Sequence, residues 1–269
     1  VGVLDGKVAI VTGAGRLRGI GRAAAQALAA AGADVVVTGT GRDPATFPDD
    51  EKAVGWRDVQ STVEQIEAQG RRGLGLTGDV SNQQDVARIV QQTLETFGRI
   101  DILINNAAIA RGADRVPVVE LDEGLFRRVL DVKLVGSFLM CKAIVPFLLE
   151  QNQGGRIVNI SSIAGKRGGA RTAAYCAANF GLQGFTQALA QELAPHRISV
   201  NAICPGLIDT ARMDVLGRGE RWERHVQGVP MQRAASDEEV AGLIVYLCSP
   251  LAEYITGQAI NIDGGRVMW

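Results

Sequence analysis

The sequence predicts one α/β domain, a doubly wound parallel sheet of seven strands with helices on both faces. Three observations carry that expectation. Short β-branched runs alternate with longer amphipathic stretches along all 269 residues. The runs are apolar throughout, as strands covered on both faces require. A glycine-rich turn follows the first run directly and leads into a helix.

Val8 to Val11 is the first strand, and Gly21 to Ala31, rich in alanine, is the first helix. The valine run from Asp34 to Thr38 makes the second strand. Val59 to Gln69 sets Val59, Val63 and Ile66 on one helical face, and Gly73 to Leu76 is a short third strand. Gln83 to Phe97 repeats the helical spacing with Val86, Ile89 and Val90, ahead of a strand from Ile100 to Ile104. A long apolar helix spans Asp122 to Leu149, then a strand from Arg156 to Ile160 and a helix from Ala173 to Ala194. Arg197 to Ile203 (strand), Asp237 to Leu247 (helix) and Ala259 to Ile262 (strand) complete the alternation. No linker, composition shift or repeat divides it, so residues 1–269 are expected to form a single domain.

Two connections are longer than the pattern needs. Gly39 to Trp56 follows the second strand, and Leu207 to Arg233 follows the sixth. Long segments at the ligand edge of such a sheet serve as lids or substrate walls, and residues 207–233 are expected to be the substrate lid.

Composition narrows the function. Apolar residues make up 46%, the net charge is −1 and the pI about 6.2, so neither nucleic acid nor a membrane surface is expected as a partner. No apolar run is expected to approach the length of a membrane span, and Val1 in place of Met suggests a trimmed or processed start. Four scattered cysteines without paired spacing point to reduced thiols in the cytoplasm. His196 and His225 stand apart from any metal-like cluster, which disfavours a histidine-based hydrolase or metal site.

The turn reads Thr12-Gly13-Ala14-Gly15-Arg16-Leu17-Arg18-Gly19-Ile20-Gly21. Glycine lets backbone approach a pyrophosphate, and the helix N-terminus supplies N–H donors and a positive dipole. This is the dinucleotide site of a Rossmann-type fold. The turn is joined by Asn105-Asn106-Ala107-Ala108, Ser161-Ser162, Tyr175, Pro205-Gly206, Thr256-Gly257-Gln258 and Asp263-Gly264-Gly265, in that order. With these motifs the chain resembles the short-chain dehydrogenase/reductase family over nearly its whole length.

The resemblance implies hydride transfer between a nicotinamide and a carbonyl or secondary alcohol carbon of a small molecule. It implies that Gly13, Gly19 and Gly21 cradle the pyrophosphate, with Arg18 and Ile20 also among the cofactor-binding residues. Asp79 and Val80 would hold the adenine, and Asn106 would lie along the cofactor. Pro205 and Gly206 would face the nicotinamide, with Thr210 near its carboxamide. A homotetramer is implied as well. The turn departs from the family in one respect: five residues rather than three separate Gly13 from Gly19.

Members specific for NAD end the second strand in an acid that binds the ribose hydroxyls. Here the stretch is Thr38-Gly39-Thr40-Gly41-Arg42, and Arg16, Arg18 and Arg42 are placed to meet a 2′-phosphate. NADP(H) is therefore favoured, with NAD(H) the alternative.

Reduction of a carbonyl also needs a proton for the developing alkoxide, and a phenol supplies it best when its ordinary value near 10 is brought down by a cation. Tyr175 is expected to be this acid/base and Ser162, thirteen residues earlier, to orient the substrate oxygen, with Ser161 the alternative. The family's lysine four residues after the tyrosine is Asn179 here. The family's upstream asparagine is Lys133. Modular polyketide synthase ketoreductases, which this chain resembles in that exchange, are active.

Periodicity supports the exchange independently. The stripe Phe126, Val129, Leu130, Gly136, Ser137 and Met140 is apolar or small, and Lys133 interrupts it. A charge about 5 Å from a phenolate, at an effective dielectric of about 20, contributes about 3 kcal/mol, or about two pKa units. The rival reading is a cofactor-binding pseudoenzyme or redox sensor without turnover.

Overall fold

The computed structural model describes residues 2–269, so Val1 and the reading of the chain's start lie outside the described residues. Seven strands form one sheet: β1 (Val8–Val11), β2 (Asp34–Gly39), β3 (Gly73–Thr77), β4 (Ile102–Asn105), β5 (Gly155–Ile160), β6 (Ile198–Pro205) and β7 (Ala259–Ile262). Their order across the sheet is β3-β2-β1-β4-β5-β6-β7, and each neighbouring pair is parallel. The order reverses between β1 and β4, which opens a crevice at the strands' carboxyl ends.

Strand pleating divides the core between two faces. Ala9 and Val11 of β1, Val35 and Val37 of β2, and Ile102 and Ile104 of β4 point to one side. There they meet α1 (Ile20–Ala30), α3 (Val59–Glu67) and α9 (Asp237–Cys248) through Leu28, Ile66 and Ile244. Ile10, Val36 and Leu103, one residue out of step, point to the other. They pack on α4 (Gln83–Phe97), α6 (Gly136–Gln151) and α7 (Ala173–Leu193). Ile10 and Leu103 are fully buried, and each such side chain contributes about 1.5–3 kcal/mol.

The expected elements all form, with boundaries that coincide or shift by at most two residues; β6, for instance, runs on to Pro205. One helix is not continuous. The segment expected from Asp122 to Leu149 is α5 (Glu123–Leu130), a π-helical turn (Asp131–Val135) and α6. One expectation is corrected: Glu123–Gln151 is long and apolar enough to cross a membrane. In this fold its apolar side, including Met140, Ile144 and Leu148, is buried against the sheet, which accounts for that composition.

The two long connections take different forms. Residues 39–58 contain a short 3-10 turn, Pro44–Thr46, and the helix α2 (Asp49–Ala53). Residues 207–233 contain a 3-10 segment, Ala211–Leu216, and the exposed helix α8 (Glu220–Gln227).

Candidate functional site

A cavity of about 620 Å³ lies at the carboxyl ends of β1, β4, β5 and β6, in the crevice the strand order creates. The glycine turn forms one end. Gly13 takes φ +68, and a Cβ on Gly21 would stand 2.5 Å from the Gly13 carbonyl oxygen, so the turn and helix α1 close up only without side chains there. Gly19 caps α1 with no side-chain bond, which leaves the first N–H groups of the helix facing the cavity. The Asn106 amide donates to the carbonyls of Thr12 and Gly13, at 2.9 Å each, and ties β4 to the turn. Arg16 and Arg18 line this end and no acid does, so the residues present fit a dinucleotide pyrophosphate.

The lengthened turn has a structural partner in the long segment after β2. The Gly15 carbonyl accepts from the Trp56 indole N–H and from an Arg42 guanidinium N–H, both at 2.7 Å. The Leu17 amide donates to Glu51 at 3.0 Å. Thus the two departures from the expected pattern pack on each other.

Arg42 is held by the buried Glu51 carboxylate at 2.7 Å and by Asp58 at 3.5 Å, and it lies outside the cavity wall. Arg18 pairs with Asp50 at 2.7 Å and with Asp214 of the lid segment. Of the three arginines considered for a 2′-phosphate, Arg16 forms no ion pair among the described residues, and burial, then Arg42, lowers its hold on its proton. Asp79 and Val80 also lie outside the wall, with the Asp79 carboxylate bonded to Ser81 and Arg128.

Ser162, Tyr175 and Lys133 line the same cavity. Ser162 begins a 3-10 turn, and its oxygen accepts from the Ala164 amide at 3.1 Å, which leaves its hydroxyl proton to donate elsewhere. Ser161 is already engaged: its hydroxyl donates to the Asn179 carbonyl and accepts from Gln183, both at 3.2 Å. Beneath them Asn105, Asn159 and Thr186 form a buried chain of 2.9 Å hydrogen bonds joining β4, β5 and α7.

Lys133 sits in the π turn, 5% exposed, with its ammonium donating to the Ala107 carbonyl at 3.4 Å. Burial, and then the nearby Arg212 guanidinium, push it down to about 7. Asn179 does not reach the cavity. Its amide turns back to the Tyr175 carbonyl at 2.8 Å, and its side-chain oxygen is buried without a partner.

Pro205, Gly206 and Thr210 form the far wall, with Leu207, Ile208 and Met213 of the lid segment beside them. The structure adds two residues that the sequence did not suggest, Arg111 and Arg115, from the irregular segment after β4. The Arg115 guanidinium lies 4.0 Å from the centroid of the Tyr175 ring, and that of Arg212 lies at 5.2 Å. No periodicity marks that segment, so nothing in the sequence separates these arginines from solvated ones.

A family profile described as Enoyl-(Acyl carrier protein) reductase matches residues 13–266. The 3-oxoacyl-[acyl-carrier-protein] reductase of Synechocystis sp. is 39% identical over 267 residues, covering 99% of each chain. The galactitol 2-dehydrogenase of Agrobacterium fabrum is 34% identical, covering 98% of this chain and 99% of the relative. Among solved structures, a putative 2-deoxy-d-gluconate 3-dehydrogenase from Agrobacterium tumefaciens with bound NADP matches at a TM-score of 0.82 and 34% identity. That match covers 98% of this chain and 97% of the other. A putative short-chain alcohol dehydrogenase from Sinorhizobium meliloti matches at 0.85 and 36% identity, with the same coverage.

Proposed function

Because the chain belongs to the short-chain dehydrogenase/reductase family of oxidoreductases, we propose that it is an NADP-linked ketone or oxoacyl reductase, or the matching alcohol dehydrogenase. The observation that carries this reading is the convergence of Ser162, Tyr175 and Lys133 on the cavity that the glycine turn closes. The cofactor supplies a hydride to the carbonyl carbon when bound.

Tyr175 donates the phenolic proton to the carbonyl oxygen as charge develops there, and recovers one in the reverse direction. Ser162 donates its free hydroxyl proton as a hydrogen bond to the same oxygen, which orients the substrate and stabilises the alkoxide. In its protonated form, which burial confines to below about pH 7 in the free chain, Lys133 supplies the cation that favours the phenolate, in place of a lysine at position 179. The lid, residues 207–233, closes over the substrate and excludes water.

The coenzyme is held at the glycine turn, with Arg16 meeting the 2′-phosphate; the free guanidinium of Arg16 and the relative with bound NADP support that choice. The engagement of Arg42 by Glu51 and Asp58 favours a second reading, in which that guanidinium does not meet a 2′-phosphate and NAD is preferred. Family membership likewise supports a cytoplasmic homotetramer, and light scattering on the purified protein tests its size.

The deciding experiment follows NADPH and NADH consumption with a panel of ketones and oxoacyl thioesters. Turnover with NADPH preferred is expected. Cofactor binding without consumption across the panel would refute the enzyme reading.

A further inference from the structure

The cavity wall carries seven arginines and Lys133, and neither aspartate nor glutamate. Arg16 and Arg18 stand at the glycine turn, where a pyrophosphate answers positive charge. That leaves the opposite end unexplained. Arg115 approaches Tyr175 from the segment after β4 and Arg212 from the 3-10 segment Ala211–Leu216, while Arg111, also from the segment after β4, lines the same cavity.

Arg115 has an acid of its own, the buried Asp114, with Nε and Oδ2 3.4 Å apart. Neither Arg111 nor Arg212 forms an ion pair among the described residues. The Arg111 guanidinium contacts only the Met213 sulfur at 3.5 Å, and Arg212 donates to the Ile109 carbonyl. In this half of the cavity, therefore, three guanidiniums and one ammonium are answered by a single paired carboxylate, Asp114. Burial, then Arg115, Arg212 and Arg221, weaken the hold of Arg111 on its proton. A partly buried group of like charges costs free energy until an anion answers it. A neutral ketone or a polyol offers no such anion. A guanidinium pair is well matched to the two oxygens of a carboxylate.

We infer that the substrate half of the cavity takes an oxo acid, with its carboxylate between Arg111 and Arg212 and its ketone oxygen at Ser162 and Tyr175. The inference rests on the hydride-transfer reading for the ketone's position, but the anion site stands on its own charges. The reverse substrate is the corresponding hydroxy acid, which loses a hydride to the nicotinamide and its hydroxyl proton to Tyr175.

The test is calorimetric titration of the full chain saturated with NADP+, a complex in which a ketone cannot react. Acetoacetate and levulinate are each compared with their methyl esters. At least one acid should bind about tenfold more tightly than its ester. Arg111→Gln and Arg212→Gln should each erode that preference, weakening the acid more than the ester, with melting temperature and NADP+ affinity as checks on folding. Acids that bind no better than their esters, or a preference that survives in both variants, overturn the inference. Turnover with NADPH is scored separately. A preserved acid preference without turnover would leave the anion site standing and remove the reductase reading.

Discussion

The Asn179 amide donates to the Tyr175 carbonyl at 2.8 Å, one helical turn back, so the side chain that replaces the family's lysine is spent on the helix backbone. In the reading proposed above the cation comes instead from Lys133, which lines the same cavity from the π turn. That arrangement makes the exchange testable. Lys133→Ala should damage turnover nearly as much as loss of the phenol, and its pH–rate profile should move to higher pH as the phenolate loses a stabilising cation. Asn179→Lys alone should bring no gain, because it adds an ammonium to a pocket already rich in cations. The double variant Lys133→Asn with Asn179→Lys should recover part of the activity lost in Lys133→Asn, a positive coupling in a double-mutant cycle. Full activity in Lys133→Ala would end the exchange reading.

Tyr175→Phe removes one hydroxyl from a ring that remains packed beneath Arg115. Folding and cofactor affinity should hold, while kcat/KM falls by about two orders of magnitude or more. Ser162→Ala should act in the same direction. Progress curves, with a fluorescence titration of NADPH as control, check both; near-normal rates in Tyr175→Phe would remove it from the chemistry.

Lys133 also governs stability. Its folded value of about 7 lies below the ordinary 10.5 because the ammonium is buried beside Arg212. Below about pH 7 the folded and unfolded chains both carry the proton, and the buried charge weighs fully on the folded state. Between the two values the unfolded chain holds a proton that the folded chain has shed, so stability rises with pH. Lys133→Met should therefore melt above the wild type at about pH 6, and the gap should narrow toward about pH 9. A gap independent of pH would show that the lysine stays charged throughout.

Coenzyme choice turns on Arg16. Arg16→Gln should lower the NADPH-to-NADH ratio of kcat/KM by about tenfold, the loss of one charge-assisted contact. An unchanged ratio would move the 2′-phosphate away from Arg16. A wild type that prefers NADH would mean that no arginine at this end reaches a 2′-phosphate.

What the sequence determined by itself was whatever rests on local order along the chain. Apolar runs buried on both faces, the strand–turn–helix at Gly13 to Gly21, and the interval from Ser162 to Tyr175 are properties of neighbours in sequence, and they specify the doubly wound sheet and its cofactor end. Lys133 was legible for the same reason, since one charge on an apolar helical stripe violates a period of 3.6. Tertiary structure alone decided which charges meet. Arg42 and Arg18 look like phosphate ligands in sequence, yet Glu51 folds back onto Arg42 within the same connection, and Asp50 and Asp214 reach Arg18 from distant segments. Arg111 and Arg115 look like surface residues, yet both join Arg212 in the cavity wall, and Arg115 and Arg212 lie over Tyr175. Electrostatic energy depends on distance in space and on burial, and neither is set by spacing along an irregular loop.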